Sequence, residues 1–592
     1  MIVIGSLLFY EIKKANKIDN TGKYSTFIKD FQLLFARKTI IEFFLASAIT
    51  YTISAIYYYD SSILLAKIRC LDNYFYGIIS EAIYSTGYEN SGGLTNYFFQ
   101  EVHGNSPYHY FELWLNGFFS SIFHLPNFIC ISIILSPCFY FIIYIGLIAL
   151  FQTHGTITLS AKFIAIGLLF LNGIKLPLEG IPYLEYANGY AYGIMSELTP
   201  KFASYYLVII SFILIKPSKY TTISNLVLLT LPILAITSMF AIIGGILLYL
   251  LIVFIKKSVP LRFIITNSIY CLVVFLFLFL FYKIMGNTYL SVYSTSEKDL
   301  ILNLFKDKDW QIAQLLRIIG IELFLQPIKF IVVYLPWLLL ALVVLSKTKK
   351  SLFSILNNTH LRLLLIIIVG FIVSFLFEYN PNHPQLFFMV SSTITNVFFI
   401  SLFIKEINFI KKNQLTLISF AGLIAYNIYG YFPKEYNSPH DEKYISNIIS
   451  LNNSKQSNPI GCFLKAPEEY TTVWSKYTAE DQTGDYLTLM KGYKGVVCLN
   501  PHEIPLSKNP LDTALESSFI KTSVFYIFVD KQKKGNTFIS MTESQLNFID
   551  RFKINFIVLS KQAKLPPILA NRIDTMIEDS RTGERFALLH KK

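Results

Sequence analysis

TTISNLVLLTLPILAITSMFAIIGGILLYLLIVFIKKSVPLRFIITNSIYCLVVFLFLFLFYKIM, residues 221–285, decides the fold class. It holds a closely spaced pair of apolar segments within 222–255, then Lys256, Lys257 and Arg262, then a further apolar run over 261–284. The runs are continuous rather than alternating, which speaks for helices and against a barrel. Runs of about 17–25 apolar residues match the hydrocarbon thickness of a bilayer. Inside lipid only helices and closed barrels satisfy every backbone group.

The same pattern recurs outward from this stretch. Apolar runs lie at 40–59, 127–151, 155–172, 200–216, 326–346, 359–377, 386–404 and 414–431. The chain therefore reads as a polytopic α-helical membrane protein of about 11–12 spans. Residues 2–10 are apolar but too short to span, and no cleavage site follows them. Across all 592 residues, 53% are hydrophobic and only 15% charged. A soluble domain carries about 25% charge.

The net charge of +13 does not point to nucleic acid. Lys13 to Lys38, Lys216, Lys219, Lys256 to Arg262, Lys347 to Lys350 and Lys405 to Lys412 all flank apolar runs. This is the positive-inside distribution of cytoplasmic loops. It leaves 60–126, 173–199, 285–325, 378–385 and everything after 431 on the opposite side. The expected domains are 1–432, a membrane domain with a large external loop at 60–126, and 433–592, an extracytoplasmic α/β domain.

In the tail, IGCFLKA (460–466), KGVVCLN (494–500), SVFYIFVD (523–530) and INFIVLS (554–560) read as strands. TESQLNFIDRFK reads as a helix between them, and the mixture predicts a mainly parallel sheet. Thr582-Gly583 marks a closing hairpin. No GxGxxG or GxxxxGK[ST] occurs in this tail, so nucleotide binding is unsupported. Cys130, Cys138 and Cys271 read as small hydrophobes in apolar runs, whereas Cys462 and Cys498 fall in the tail. No CxxC or HExxH spacing supports a structural zinc.

Candidate chemistry gathers on the external side. Residues 73–86 predict an amphipathic helix, with Tyr76, Ile79, Ala82 and Ile83 on its apolar face and Ser80, Glu81 and Ser85 away from it. Asp72 opens that helix. His103, His109 and Glu112 return to the same surface, and residues 108–123 suit a helix lying in the interface. Asp72 with one or both imidazoles suits a general base toward a hydroxyl, and Asp72 with His109 suits a divalent cation such as Mg or Mn. Glu101 and Glu112 read as solvated. In 173–199, Lys175, Glu179 and Glu185 stand among Tyr183, Tyr186, Tyr190 and Tyr192. That is either a sugar-binding lining or an interfacial aromatic belt. In 377–389, Glu378, Asn380, Asn382, His383 and Gln385 form either a phosphate site or a tight polar turn.

DNYFYGIISEAIYSTG (72–87) and HGNSPYHYFELWL (103–115), with the many spans and the α/β tail, resemble the GT-C class of membrane glycosyltransferases. Its bacterial members include dolichyl-phosphate-mannose mannosyltransferase-like enzymes. Asp72 stands where that class carries the acidic residue of its first external loop, although the usual acidic pair is reduced to Asp72-Asn73 and the proline doublet to Ser106-Pro107. The resemblance implies an inverting transfer of sugar from a polyprenyl-phosphate donor to a glycan, lipid or protein acceptor. It makes Asp72 the base or orienting group and His103 or His109 its assistant. Lys175 and His383 would meet the leaving phosphate, and Glu179, Glu185, Tyr186 and Gln385 the substrate. The location it implies is the bacterial inner (cytoplasmic) membrane, with the active site and the tail outside the cytoplasm. An O-antigen ligase or polymerase would lean on arginine in this loop, yet Arg69 is alone in 60–126. A polysaccharide or lipid transporter would show ionisable groups inside its spans and inverted repeats.

Overall fold

The computed structural model describes residues 110–153, 159–169, 200–215, 221–285, 323–348, 357–376, 389–405, 440–455, 460–470, 496–506 and 523–590. Shorter described pieces lie within 41–52, 59–66, 76–84, 418–426, and at 487 and 520. The chain divides into two compact units. One comprises 1–54, 136–281 and 311–433, and the other 55–135, 282–310 and 434–592.

The described elements are mostly helical. Helix α1 is Tyr110–Phe123 and α2 is Ser136–Thr153, entered through a short helix at Asn127–Cys130 and a π turn at Ile131–Leu135. Then come α3 (Leu159–Leu169), α4 (Pro200–Leu214), α5 (Thr221–Leu228), α6 (Met239–Ile255) and α7 (Leu261–Met285). Helices α8 (Leu323–Thr348), α9 (Asn358–Leu376) and α10 (Met389–Lys405) follow. Helix α1 and the turns up to Leu135 belong to the second unit, and α2 to α10, except the last residues of α7, to the first. Among the described residues, three helical stretches are long and apolar enough to cross a membrane: Ile133–Thr153, Ile236–Ile255 and Leu261–Phe281. Tyr205–Leu214, Thr222–Leu234, Asn358–Val373 and Val390–Ile404 are apolar but shorter. The pair expected in 222–255 is uneven. Its first limb stops at a short turn, Leu231–Leu234, before Ala235 takes an extended conformation.

Helices α6 and α9 pack through small residues. A Cβ built on Gly245 would meet the backbone of Ile366, with its Cα at 2.6 Å, and one on Gly244 would meet Val369 Cγ1 at 2.8 Å. Gly370 in turn admits Ser391 of α10. Between apolar helices in lipid, close backbone approach of this kind is what supplies packing energy. Tyr334 on α8 donates to the Ser392 carbonyl at 3.0 Å, and Asn396 Nδ2 donates to the Tyr206 hydroxyl at 2.9 Å.

In the second unit the tail forms a five-stranded sheet from β1 (Gly461–Leu464), β2 (Val496–Cys498), β3 (Phe556–Leu559), β4 (Ile573–Glu578) and β5 (Arg585–Leu589). The order is β2-β1-β3-β5-β4. The first three are parallel, while β5 and β4 add antiparallel, so the sheet is mixed rather than mainly parallel. Helix α11 (Glu442–Lys455) lays Tyr444, Ile445 and Ile448 on one face, against Phe463, Val496, Val558 and Phe586. Helices α12 (Val524–Lys534) and α13 (Met541–Phe552) cover the other, against Cys462, Leu464, Ile557 and Leu559.

Helix α12 corrects the strand expected at 523–530. A short apolar run is ambiguous by pattern alone. Here Val524, Phe525, Ile527 and Phe528 are buried at helical spacing, and the helix continues through Lys534, which pairs with Asp530 at 2.7 Å. Cys462 and Cys498 lie on neighbouring strands in registers that send them to opposite faces, so they do not meet.

The β4–β5 hairpin turns at Gly583, whose φ of 73° suits glycine. Just before it, the Asp579 side chain is fully buried and gathers the start of the domain. It accepts from the His440 ring at 2.8 Å, Asp441 N at 3.0 Å, Thr582 Oγ1 at 2.6 Å and Arg581 N at 3.2 Å. Burial works to raise its pKa, but the bonds from Thr582, the Asp441 and Arg581 amides and His440 outweigh it and hold the group down at about 2.

Two outcomes are expected. Gly245→Leu lowers the thermal midpoint in detergent, at about 1–3 kcal/mol for a steric clash with backbone, whereas Gly422→Ala, with open space around it, leaves the midpoint unchanged or slightly higher. Equal behaviour of the two would contradict the packing. A carboxylate depressed from its ordinary value near 4 stabilises the fold above that pH and loses the contribution as pH falls through about 2. Acid titration should therefore release the hairpin between about pH 4 and 2, and Asp579→Asn should flatten that limb when amide exchange of Gly583 is followed.

Candidate functional site

In the first loop the described residues of 76–84 are helical, and Tyr76, Ile79 and Ile83 are buried as their spacing predicts. Ser80, expected to face away, is buried as well. The cause is Gly117 of α1, where a built Cβ lies 3.3 Å from the Ser80 carbonyl oxygen. The missing side chain lets the two helices approach until Ser80 is covered.

Helix α1 follows Ser106-Pro107 as expected, but its sides are inverted. Phe111, Trp114, Phe118 and Ile122 are exposed, while Glu112, Asn116 and Ser120 are buried. Residues at i, i+3, i+7 and i+11 share one face of a helix, and those at i, i+4 and i+8 share the other. Glu112 is only 1% exposed, which corrects its expected solvation. An apolar stripe turned outward on a helix that ends ten positions before Ile133 in the sequence is the pattern an interfacial helix needs.

The buried polar face is connected. Asn116 Nδ2 donates to the Asn127 carbonyl at 2.9 Å and to its side-chain Oδ1 at 3.3 Å. Asn127 Nδ2 donates in turn to Glu81 Oε2 by a short bond. Ser120 Oγ donates to the Leu125 carbonyl and closes the end of the helix, after which His124 turns with a φ of 54°. Two carboxylates, Glu81 and Glu112, are thus carried on the two packed helices, with the two amides linking to Glu81. Carboxylates withdrawn from bulk water act more strongly as acceptors for a hydroxyl or a cation.

Every residue singled out in the sequence for direct chemistry lies outside the described residues: Asp72, His103, His109, Lys175, Glu179, Glu185, Tyr186, His383 and Gln385. Among the described residues no group of three or more His, Cys, Asp or Glu is placed to hold a metal ion. The divalent cation therefore stays attached to Asp72 and His109 as an expectation. The sequence reading missed Asn116 and Asn127 as site residues. Their signal was the polar row Glu112, Asn116 and Ser120, set opposite Phe111, Trp114 and Phe118.

Asn127→Ala removes a donor to Glu81 and the side-chain acceptor 3.3 Å from Asn116 Nδ2, while the bond from Asn116 to the carbonyl of residue 127 remains. A thermal shift equivalent to about 1–3 kcal/mol of destabilisation is expected. An unchanged midpoint would mean that the network carries no energy.

No family model matches the chain, and no curated protein matches it. Among solved structures it is similar to an archaeal oligosaccharyltransferase, AglB from Archaeoglobus fulgidus, determined in complex with an inhibitory peptide and a dolichol-phosphate. The identity is 9%, over 89% of this chain and 70% of that one, with a TM-score of 0.38. A score and identity that low carry no argument about what this chain does.

Proposed function

We propose that the chain is a membrane glycosyltransferase that moves a sugar from a polyprenyl-phosphate donor to an acceptor, with its chemistry at the first loop. The observation that supports this reading most is the inverted helix α1. It turns Phe111, Trp114 and Phe118 outward and keeps Glu112 and the Glu81–Asn127–Asn116 network inside. An enzyme whose donor is anchored in the bilayer needs polar groups held at membrane level and shielded from lipid. Intramembrane and interfacial carboxylates are otherwise too costly to keep.

In this mechanism Asp72 accepts the proton of the acceptor hydroxyl, or orients that hydroxyl, as it attacks the anomeric carbon. The bond to the lipid phosphate breaks as the new glycosidic bond forms, and the configuration inverts. His103 or His109 assists Asp72. Lys175 and His383 supply charge and hydrogen bonds to the departing phosphate, where stabilising developing charge contributes most. Glu179, Glu185, Tyr186 and Gln385 contact the sugar. The prenyl chain stays in the bilayer throughout.

The deciding assay is transfer from labelled polyprenyl-phosphate sugars by the purified protein. Asp72→Asn is expected to lower the rate at least about 100-fold, as removal of a general base does. A variant as fast as wild type would remove Asp72 from the mechanism.

A further inference from the structure

Arg362, in the first turns of α9, is fully buried. Its Nη1 donates to Ser224 Oγ and to Asn225 Oδ1, both at 2.7 Å, and its Nε reaches the Asn358 carbonyl at 3.4 Å. The guanidinium carbon lies 4.7 Å from the Phe212 ring centroid and 5.3 Å from that of Tyr249. Among the described residues Nη2 has no hydrogen-bond partner. All these contacts are neutral, and among the described residues of this unit there is no Asp or Glu at all.

The neighbouring amides are already committed. Asn225 Nδ2 donates to Asn267 Oδ1 at 2.9 Å, and Asn267 Nδ2 donates to the Phe263 carbonyl at 2.8 Å. Aromatic faces and neutral oxygens offset part of a buried cation's lost hydration, but they do not cancel its charge. An ionisable side chain inside a membrane unit ordinarily has a counter-group.

The place where this cation sits narrows the choice of counter-group. Phe212 closes α4, which Lys216 and Lys219 follow, and Tyr249 sits in the last turns of α6, which Lys256 and Lys257 follow. Asn267 is near the start of α7 beside Arg262, and α9 itself comes after Lys347, Lys349 and Lys350. The helix ends that meet at Arg362 are therefore the basic ends. An anion with several oxygens fits a guanidinium fork best, and phosphate is the one a membrane surface offers.

We propose that Arg362 is the centre of a phosphate-binding site at the basic end of the membrane unit. There an anionic lipid headgroup or a free phosphate supplies the acceptor for Nη2. This site stands independently of the transfer chemistry proposed above.

The test uses the full chain in a phosphate-free, non-ionic maltoside detergent, as wild type and as Arg362→Gln. Phosphatidylglycerol is added in one arm and inorganic phosphate in the other. The wild-type thermal midpoint is expected to rise by about 3 °C or more while the variant stays in place. A response to lipid alone assigns the headgroup, and a response to both assigns phosphate itself. A wild type that responds to neither, or a variant that responds equally, overturns the site. Should Arg362→Gln not fold, Arg362→Lys keeps the charge but loses the fork. It is expected to hold phosphatidylglycerol at least about tenfold more weakly in native mass spectrometry, and equal retention would overturn the site too.

Discussion

A polar group taken out of water has to find a partner, and that constraint arranges the helical parts of this chain more than any single apolar contact does. The apolar surface is abundant and nearly featureless: apart from Arg262 at the start of α7, the exposed described residues of α6 and α7 are Leu, Ile and Phe. Apolar side chains of that kind do not tell one helix from another in lipid. What distinguishes the neighbours is the small set of polar pairings: Tyr334 with Ser392, Asn396 with Tyr206, and Arg362 with Ser224 and Asn225. Glycines at 244, 245 and 370 then allow the approach those pairings need.

The membrane character was legible because its cause is local. A continuous apolar run of sufficient length has few alternatives, and 323–348, 358–376 and 389–405 are helical within a few residues of the expected limits. The inversion of α1 was not read, although its pattern was present. The expectation that acidic residues face water assigned Glu112 outward, and only the packing of Gly117 against Ser80 shows which side is inside. Arg362 was missed for a related reason. A lone arginine near the start of the apolar run 359–377 looks like a residue at the end of a span, and its burial depends on residues from α4, α5 and α6.

In the tail, strands β1, β2 and β3 were found because burial on both faces makes a short uninterrupted apolar run. The same property misled at 524–529, where an equally apolar run is a helix. Length separates the two cases: β1 to β3 have three or four residues each, whereas α12 runs for 11.

The order β2-β1-β3 reverses the direction of strand addition between β1 and β3, which run parallel, and in open α/β sheets the crevice at such a point is where ligands enter. Here the chain fills it from within. Glu469 Oε2 accepts from Ala466 N, just after β1, at 3.1 Å, and Oε1 accepts from Gln562 N, just after β3, at 3.2 Å. Ser560 Oγ takes a second bond from Ala466 N at 3.1 Å. These loop amides are the groups that would otherwise cradle a phosphate. An internal carboxylate is already bound to them. The lack of a glycine-rich phosphate motif in the tail sequence and the bonds from these amides to Glu469 point the same way: the described amides at this point of the sheet serve the chain's own carboxylate.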